Sequence, residues 1–275
     1  MSGLLEQNPI RNQQPKKNKK LGINKVAGLL ICVIAVTGAK NGLDIYKEKR
    51  VAKEESSKIN ALMQQQKDED AARIERVANN KVAYLTFDDG PNYNTDKILE
   101  ILKQNNIKAT FFLVGSMVEN NPSIVRKIYD EGHTIGNHTY SHDYAYNTKE
   151  AFLSEVQKTD SLISKAIGKE YKSYFVRVPG GSMGKKVPQD AIKENGYKSI
   201  NWTGVFGDDE KGGRVDSYHL MRRIDETVGD DKYEVILGHG TKGVTVDTLQ
   251  KIIDEIKNKG YIFEKLMEDS PVEFS

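Results

Sequence analysis

The sequence runs to 275 residues, 37% hydrophobic and 29% charged, with a net charge of +2. That length holds one sizeable domain plus extra segments. Residues 1–25 carry six Lys or Arg against Glu6 alone, a net +5, so the rest sums to about −3 and offers no basic face for a nucleic acid.

After the basic stretch (1–25), "VAGLLICVIAVTGA" (26–39) has no charged residue. A basic segment followed by an apolar one reads as an export signal or membrane anchor that keeps the basic side in the cytoplasm. The run is shorter than the roughly 17–25 residues of a comfortable transmembrane helix. Thr37 and Ala39 are small enough for cleavage after Ala39, and a buried core helix is the alternative. Cys32, the single cysteine, lies in this run behind bulky Ile31, which disfavours lipidation. The exported part has no cysteine to form a disulfide and must rest on its own core. Residues 40–80 are rich in Lys, Glu, Gln, Asp and Ala, and Ile45, Ile59, Leu62, Ile74 and Val77 keep no heptad register. A helical or partly disordered spacer is expected there, not a coiled coil.

From Lys81 the pattern changes. "VAYLTF", "ATFFLV", "TIGNHT", "YFVRVP", "SINWT", "YEVILGH" and "YIFEKL" read as strands, rich in β-branched and aromatic residues. Amphipathic stretches alternate with them. "TDKILEILKQNN" is expected to be capped by Thr95 and to pack through Ile98, Leu99 and Leu102. In "VTVDTLQKIIDEIKNKG", Leu249, Ile252, Ile253 and Ile256 share a face and Gly260 stops the helix. Residues 81–275 therefore read as one α/β domain with parallel strands, an open sheet or a barrel.

In such folds, functional groups gather at the carboxyl ends of strands. Asp88 and Asp89 end the first strand, His138 and His142 follow the third, and Arg177 the fourth. Trp202 and Asp208 follow the fifth and His239 ends the sixth, so all would face one end of the sheet. His138 and His142 are spaced i, i+4; if a helical turn begins there, both imidazoles share one metal, with an aspartate as third ligand and open positions for water. Alone, such a pair is more often surface or core histidine. Asp89 neutralised by the metal would leave Asp88 a free carboxylate, and a tight turn at Gly90-Pro91 would let the two side chains converge. A plain turn with solvated aspartates is the alternative for "DDGP". His133 and His219 fit no such pattern and read as structural or surface groups.

"TFDDGP" (86–91), "HTYSH" (138–142), "RVPGG" (177–181), Trp202 with Asp208, and "LGH" (237–239) occur in order. Together they resemble the five motifs of the polysaccharide deacetylase family, the NodB-like carbohydrate esterases, over about residues 81–265. The resemblance implies a deformed (β/α) barrel of about seven parallel strands. It implies one divalent metal held by Asp89, His138 and His142, zinc first, with cobalt or another ion as the alternative. It also implies Asp88 as general base, held by Arg177, and His239 as general acid, paired with Asp208. Gly180 would offer a backbone N–H to the oxyanion, while Trp202 and Leu237 line an acetyl pocket.

Two positions depart from the family pattern. Gly180 stands where an aromatic usually follows the proline, which removes one wall of the sugar site. Asp209 stands where an aromatic usually follows the aspartate, which leaves Asp208 and Asp209 as rival partners of His239. The expected activity is de-N-acetylation of a cell-surface glycan, with N-acetylglucosamine of peptidoglycan first. Chitin oligomers, poly-N-acetylglucosamine, acetylated xylan and a non-catalytic glycan-binding relative are the alternatives. The protein is expected to be a monomer, outside the cell, tethered through its apolar segment or released by cleavage.

Overall fold

The structure, a computed structural model, describes residues 42–212 and 214–273. The basic stretch 1–25, the apolar run 26–39 and Cys32 lie outside the described residues. Among those described, no helix is long and apolar enough to cross a membrane. The chain divides into two units, the first ending at Arg73 and the second beginning at Ile74. In the first unit the described residues form one helix, α1 (Gly42–Asn79), whose last turns belong to the second. Its 38 residues span about 57 Å at 1.5 Å per residue. With charged residues on every side it leaves Leu62 and Met63 exposed. Within the second unit its end is tied down: Val77 is buried with Val82, Tyr84 and Leu266, and Arg76 pairs with Glu264.

Among the described residues the second unit holds eight strands, β1 (Lys81–Asp88), β2 (Thr110–Leu113), β3 (Thr134–Asn137), β4 (Phe175–Val176), β5 (Lys198–Ser199), β6 (Gly204–Val205), β7 (Tyr233–His239) and β8 (Tyr261–Phe263). They pair in the order β5-β4-β3-β2-β1-β7-β6, and β8 adds to β1. Every pairing is parallel. Val82 to Asp88 are all buried, the unbroken pattern of a parallel strand covered on both faces. The helices are α2 (Tyr93–Gln104), α3 (Gly115–Asn120), α4 (Pro122–Asp130), α5 (Lys149–Ile167), α6 (Lys186–Glu194), α7 (Ser217–Thr227) and α8 (Gly243–Asn258). On α8 the predicted face is the buried one: Leu249, Ile252, Ile253 and Ile256 are wholly inaccessible, each worth roughly 1.5–3 kcal/mol of burial.

Connectivity forces the sheet to curl. β5 and β6 stand at opposite ends of the strand order, yet only residues 200–203 join them. Such a link reaches at most about 18 Å. Seven strands laid flat at about 4.8 Å spacing would hold those ends about 29 Å apart. The sheet therefore closes most of the way round, giving the (β/α) half-barrel of about seven strands implied by the motifs.

Two local expectations are corrected. "SINWT" is not one strand: only Ser199 is in β5, and the chain then turns before β6. The carbonyls of Ile200 and Asn201 accept from Arg177, and the Asn201 side chain bonds Ser182, so this backbone is committed away from a ladder. Thr95 is not the cap of α2 but its third residue. Asn92 is the cap, and Thr95 closes a reciprocal capping box by accepting from the Asn92 N–H.

Candidate active site

The carboxyl end of β1 sets the origin of the site. Asp88 is the last residue of that strand and is register-paired with His239, the last of β7. Both side chains stand at one end of the barrel. Asp89 then leaves the strand with φ +70°, a left-handed conformation that costs a non-glycine residue of order 1 kcal/mol or more. That reversal turns Asp89 toward the same side as Asp88, the convergence the sequence attributed to the turn.

His138 and His142 also converge, but through a loop with no helical turn. Thr139 and His142 have φ +64° and +62°, so left-handed residues bend the segment back on itself. The imidazole centroids lie 4.8 Å apart. Buried His138 has Nδ1 at 2.7 Å from the Arg177 carbonyl. That geometry assigns the proton to Nδ1 and leaves the Nε2 lone pair facing the site. Burial is the largest influence on this imidazole and holds its pKa below the usual range, in the neutral form a ligand requires.

The loop is held by groups that sequence reading missed. Glu155 on α5 accepts from the backbone N–H of Tyr140 (3.0 Å) and of Ser141 (2.6 Å). Asn137 accepts from Thr139 N–H and donates to Asp160, also on α5. From the other side, Gly115 and Ser116 donate their N–H groups to the carbonyls of Thr139 and Tyr140. No local pattern marks Glu155 or Asp160, because their role exists only once α5 packs beneath the loop.

Asp89, His138 and His142 fit a divalent cation. Asp89 Oδ1 is 3.1 Å from His142 Nε2 and 3.6 Å from His138 Nε2, close to the roughly 3.3 Å edge of a tetrahedron with bonds near 2.0–2.1 Å. The same oxygen is buried and receives no well-directed hydrogen bond, a vacancy a cation would satisfy. Burial works to raise the Asp89 pKa, but the imidazoles of His142, His138 and His239 outweigh it, and the carboxyl sits below its usual range. Two imidazoles and one carboxylate leave coordination positions open.

Arg177 crosses the barrel interior with no exposed surface. One guanidinium nitrogen donates to Asp88 Oδ1 and to Thr86 Oγ1, both at 2.8 Å. Its other nitrogens reach the carbonyls of Ile200 (3.1 Å) and Asn201 (3.3 Å), and the group stacks 4.1 Å over Phe112. Burial lowers its pKa against the opposing pull of Asp88, yet an arginine stays charged.

On the opposite wall, Asp208 and not Asp209 pairs with His239. Asp208 Oδ1 is 2.7 Å from His239 Nδ1, while its Oδ2 accepts from the His239 N–H and from Thr245. Asp209 is exposed and 3.8 Å from Nε2. Burial alone would lower the His239 pKa; the hydrogen bond and charge of Asp208, then the charges of Asp88 and Asp89, overcome it and push it up to about 9. Of the two histidines read as structural or surface groups, His133 is buried and accepts from Ala109 N–H. Burial takes its pKa down to about 3. His219 pairs with Glu210 on the flank.

Between these walls lies a cavity of about 450 Å³, lined by Asp88, Asp89, His138, His142 and His239 together with Gly180, Trp202 and Leu237. Every residue assigned to the site in the sequence, except buried Arg177, lines it, and Arg177 touches Asp88 from behind. Tyr144, which sequence reading passed over, is part of the same lining.

The sequence pattern described as "Polysaccharide deacetylase" matches residues 75–200. Two Bacillus cereus proteins, each named peptidoglycan-N-acetylglucosamine deacetylase, are similar to the chain. One is 39% identical over 66% of this chain and 66% of its own length. The other is 31% identical over 91% of this chain and 96% of its own. The crystal structure of a polysaccharide deacetylase from Bacillus cereus, 34% identical, superposes with a TM-score of 0.63 over 69% of this chain and 94% of that one.

Proposed function

The chain belongs to the polysaccharide deacetylase family and is a polysaccharide de-N-acetylase, and we propose that it removes acetyl groups from N-acetylglucosamine of peptidoglycan by metal-assisted hydrolysis. The observation that carries this reading is the meeting of a His₂Asp donor set, a buried ion-paired carboxylate and a carboxylate-paired imidazole around one cavity.

An amide carbonyl is a poor electrophile and an amine a poor leaving group, so both ends of the reaction need help. Asp89, His138 and His142 would hold the cation, zinc in first place. When bound, that ion supplies Lewis acidity, polarising the carbonyl and acidifying water. Asp88 takes the proton from the attacking water, and Arg177 orients its carboxylate. The backbone N–H of Gly180, which makes no hydrogen bond among the described residues, is the donor available to the developing oxyanion. His239, protonated at neutral pH by virtue of Asp208, gives its proton to the departing amine. Trp202 and Leu237 provide an apolar seat for the acetyl methyl. Products are acetate and a free amino sugar.

The choice of peptidoglycan rests on the names of the Bacillus cereus relatives and on a basic-then-apolar N-terminal sequence that reads as an export or anchor signal. We place the domain outside the cell, where a wall polymer is within reach. Incubating the protein with purified peptidoglycan and separating the muropeptides tests this directly. Deacetylated glucosamine units are expected, and their absence beside release from another acetylated glycan would reassign the substrate.

A further inference from the structure

Gly180 contributes no side chain to the mouth of the site, and the ring of Tyr144 stands in the space. A Cβ at Gly180 would come within 3.0 Å of Tyr144 Cδ1 and 3.1 Å of Cε1. Gly180 also has φ +68°, so a larger residue there would be strained as well as displacing the ring. Tyr144 is fixed from a second direction, its ring perpendicular to the His142 imidazole with centroids 5.1 Å apart. It is nonetheless 63% exposed, although it lines the cavity that holds the donor set. Among the described residues, the other strongly exposed tyrosines, Tyr93 and Tyr218, line no part of that cavity.

An aromatic ring held in place, left in water and facing a polar cavity has apolar area to cover only when a ligand arrives. A pyranose matches it, since the C–H face of the sugar can pack on the ring while the hydroxyls stay solvated. We propose that Tyr144 is a sugar-binding residue, the aromatic wall against which the acetamido-bearing sugar rests, and that Gly180 is the gap that admits its ring. The missing wall at Gly180 is thereby replaced from the loop that carries His142. The proposal rests on the deacetylase reading above and names the residue that seats the substrate.

The test compares the full chain with its Tyr144→Ala and Tyr144→Phe variants on a short N-acetylglucosamine oligomer. It measures KM and kcat from acetate release, oligomer affinity by calorimetry, and zinc content. Tyr144→Ala should weaken affinity and raise KM about five- to tenfold, with the loss concentrated in KM. Tyr144→Phe should stay within about twofold of the parent, because the ring face is retained. Unchanged KM and affinity in Tyr144→Ala would overturn the proposal. So would a fall in zinc content and kcat at constant affinity, which would make the ring a prop for His142. A parent chain that binds the oligomer through Tyr144 but releases no acetate would support the wall and sink the deacetylase reading. A parent that does not bind would overturn the wall.

Discussion

Asp88 and His239 are register partners on neighbouring parallel strands, β1 and β7, and the Asp88 carbonyl accepts from Gly240 N–H at 2.9 Å. The proposed base and acid are thus spaced by the sheet ladder itself, a more rigid mounting than two loops would give. Each then has its own keeper, Arg177 for Asp88 and Asp208 for His239. The His239 side is poised to donate, its pKa pushed up to about 9 by Asp208.

Replacing Asp88 by Asn should lower kcat at least about 100-fold while leaving zinc content unchanged, because general-base catalysis is lost and the donor set is untouched. Acetate release and zinc analysis on the same preparation check it. Activity close to the parent would refute the base assignment.

Arg177→Met should destabilise the fold by about 3–5 kcal/mol, since it leaves a buried carboxylate without its ion partner. The carbonyls of Ile200 and Asn201, which hold the link between β5 and β6, lose their donor as well. Urea denaturation measures the loss; less than about 1 kcal/mol would show that Asp88 finds another partner.

Activity should fall as pH rises through about 9, because His239 must be protonated to donate and its pKa stands near that value. In Asp208→Asn the strongest upward influence is removed, and the alkaline limb should move to lower pH. The same linkage bears on stability. The folded-state pKa lies above the ordinary 6.5, so this pair's contribution is fully present below that value and is lost as pH rises through about 9. An alkaline limb identical in parent and Asp208→Asn would contradict the pairing.

Gly115→Ala should disturb the loop that carries His138 and His142 from a distance. Its Cβ would fall 2.3 Å from Thr159 Oγ1 and 2.7 Å from the Tyr140 ring, and the Gly115 N–H that anchors Thr139 would shift with it. A loss of about 1–3 kcal/mol in stability and of about tenfold in zinc affinity is expected. Denaturation and a chelator competition titration read the two effects separately.

Much of this site was legible in the sequence because strand ends announce themselves. Buried parallel strands are short apolar runs, so the polar residues at or just past their ends, Asp88, His138, Arg177, Asp208 and His239, are placed at one end of a sheet by pattern alone. Choosing between Asp208 and Asp209 could not be done that way. It depends on which carboxylate turns inward to meet Thr245 and the His239 N–H. The geometry of the His138–His142 loop was equally hidden, because left-handed Thr139 and His142 are stabilised by Glu155 and Gly115 from other elements. Tyr144 had no motif, since its position makes sense only beside Gly180. β6 was missed because it is two residues long and defined only by its pairing with β7.

The most direct test of the central claim is acetate release from an N-acetylglucosamine oligomer and from peptidoglycan by the full chain, as purified, after chelation, and after zinc is restored. Release that is abolished by chelation and recovered with zinc, but not recovered in His142→Ala, is the predicted result. Release that persists undiminished in the chelated protein would contradict the account.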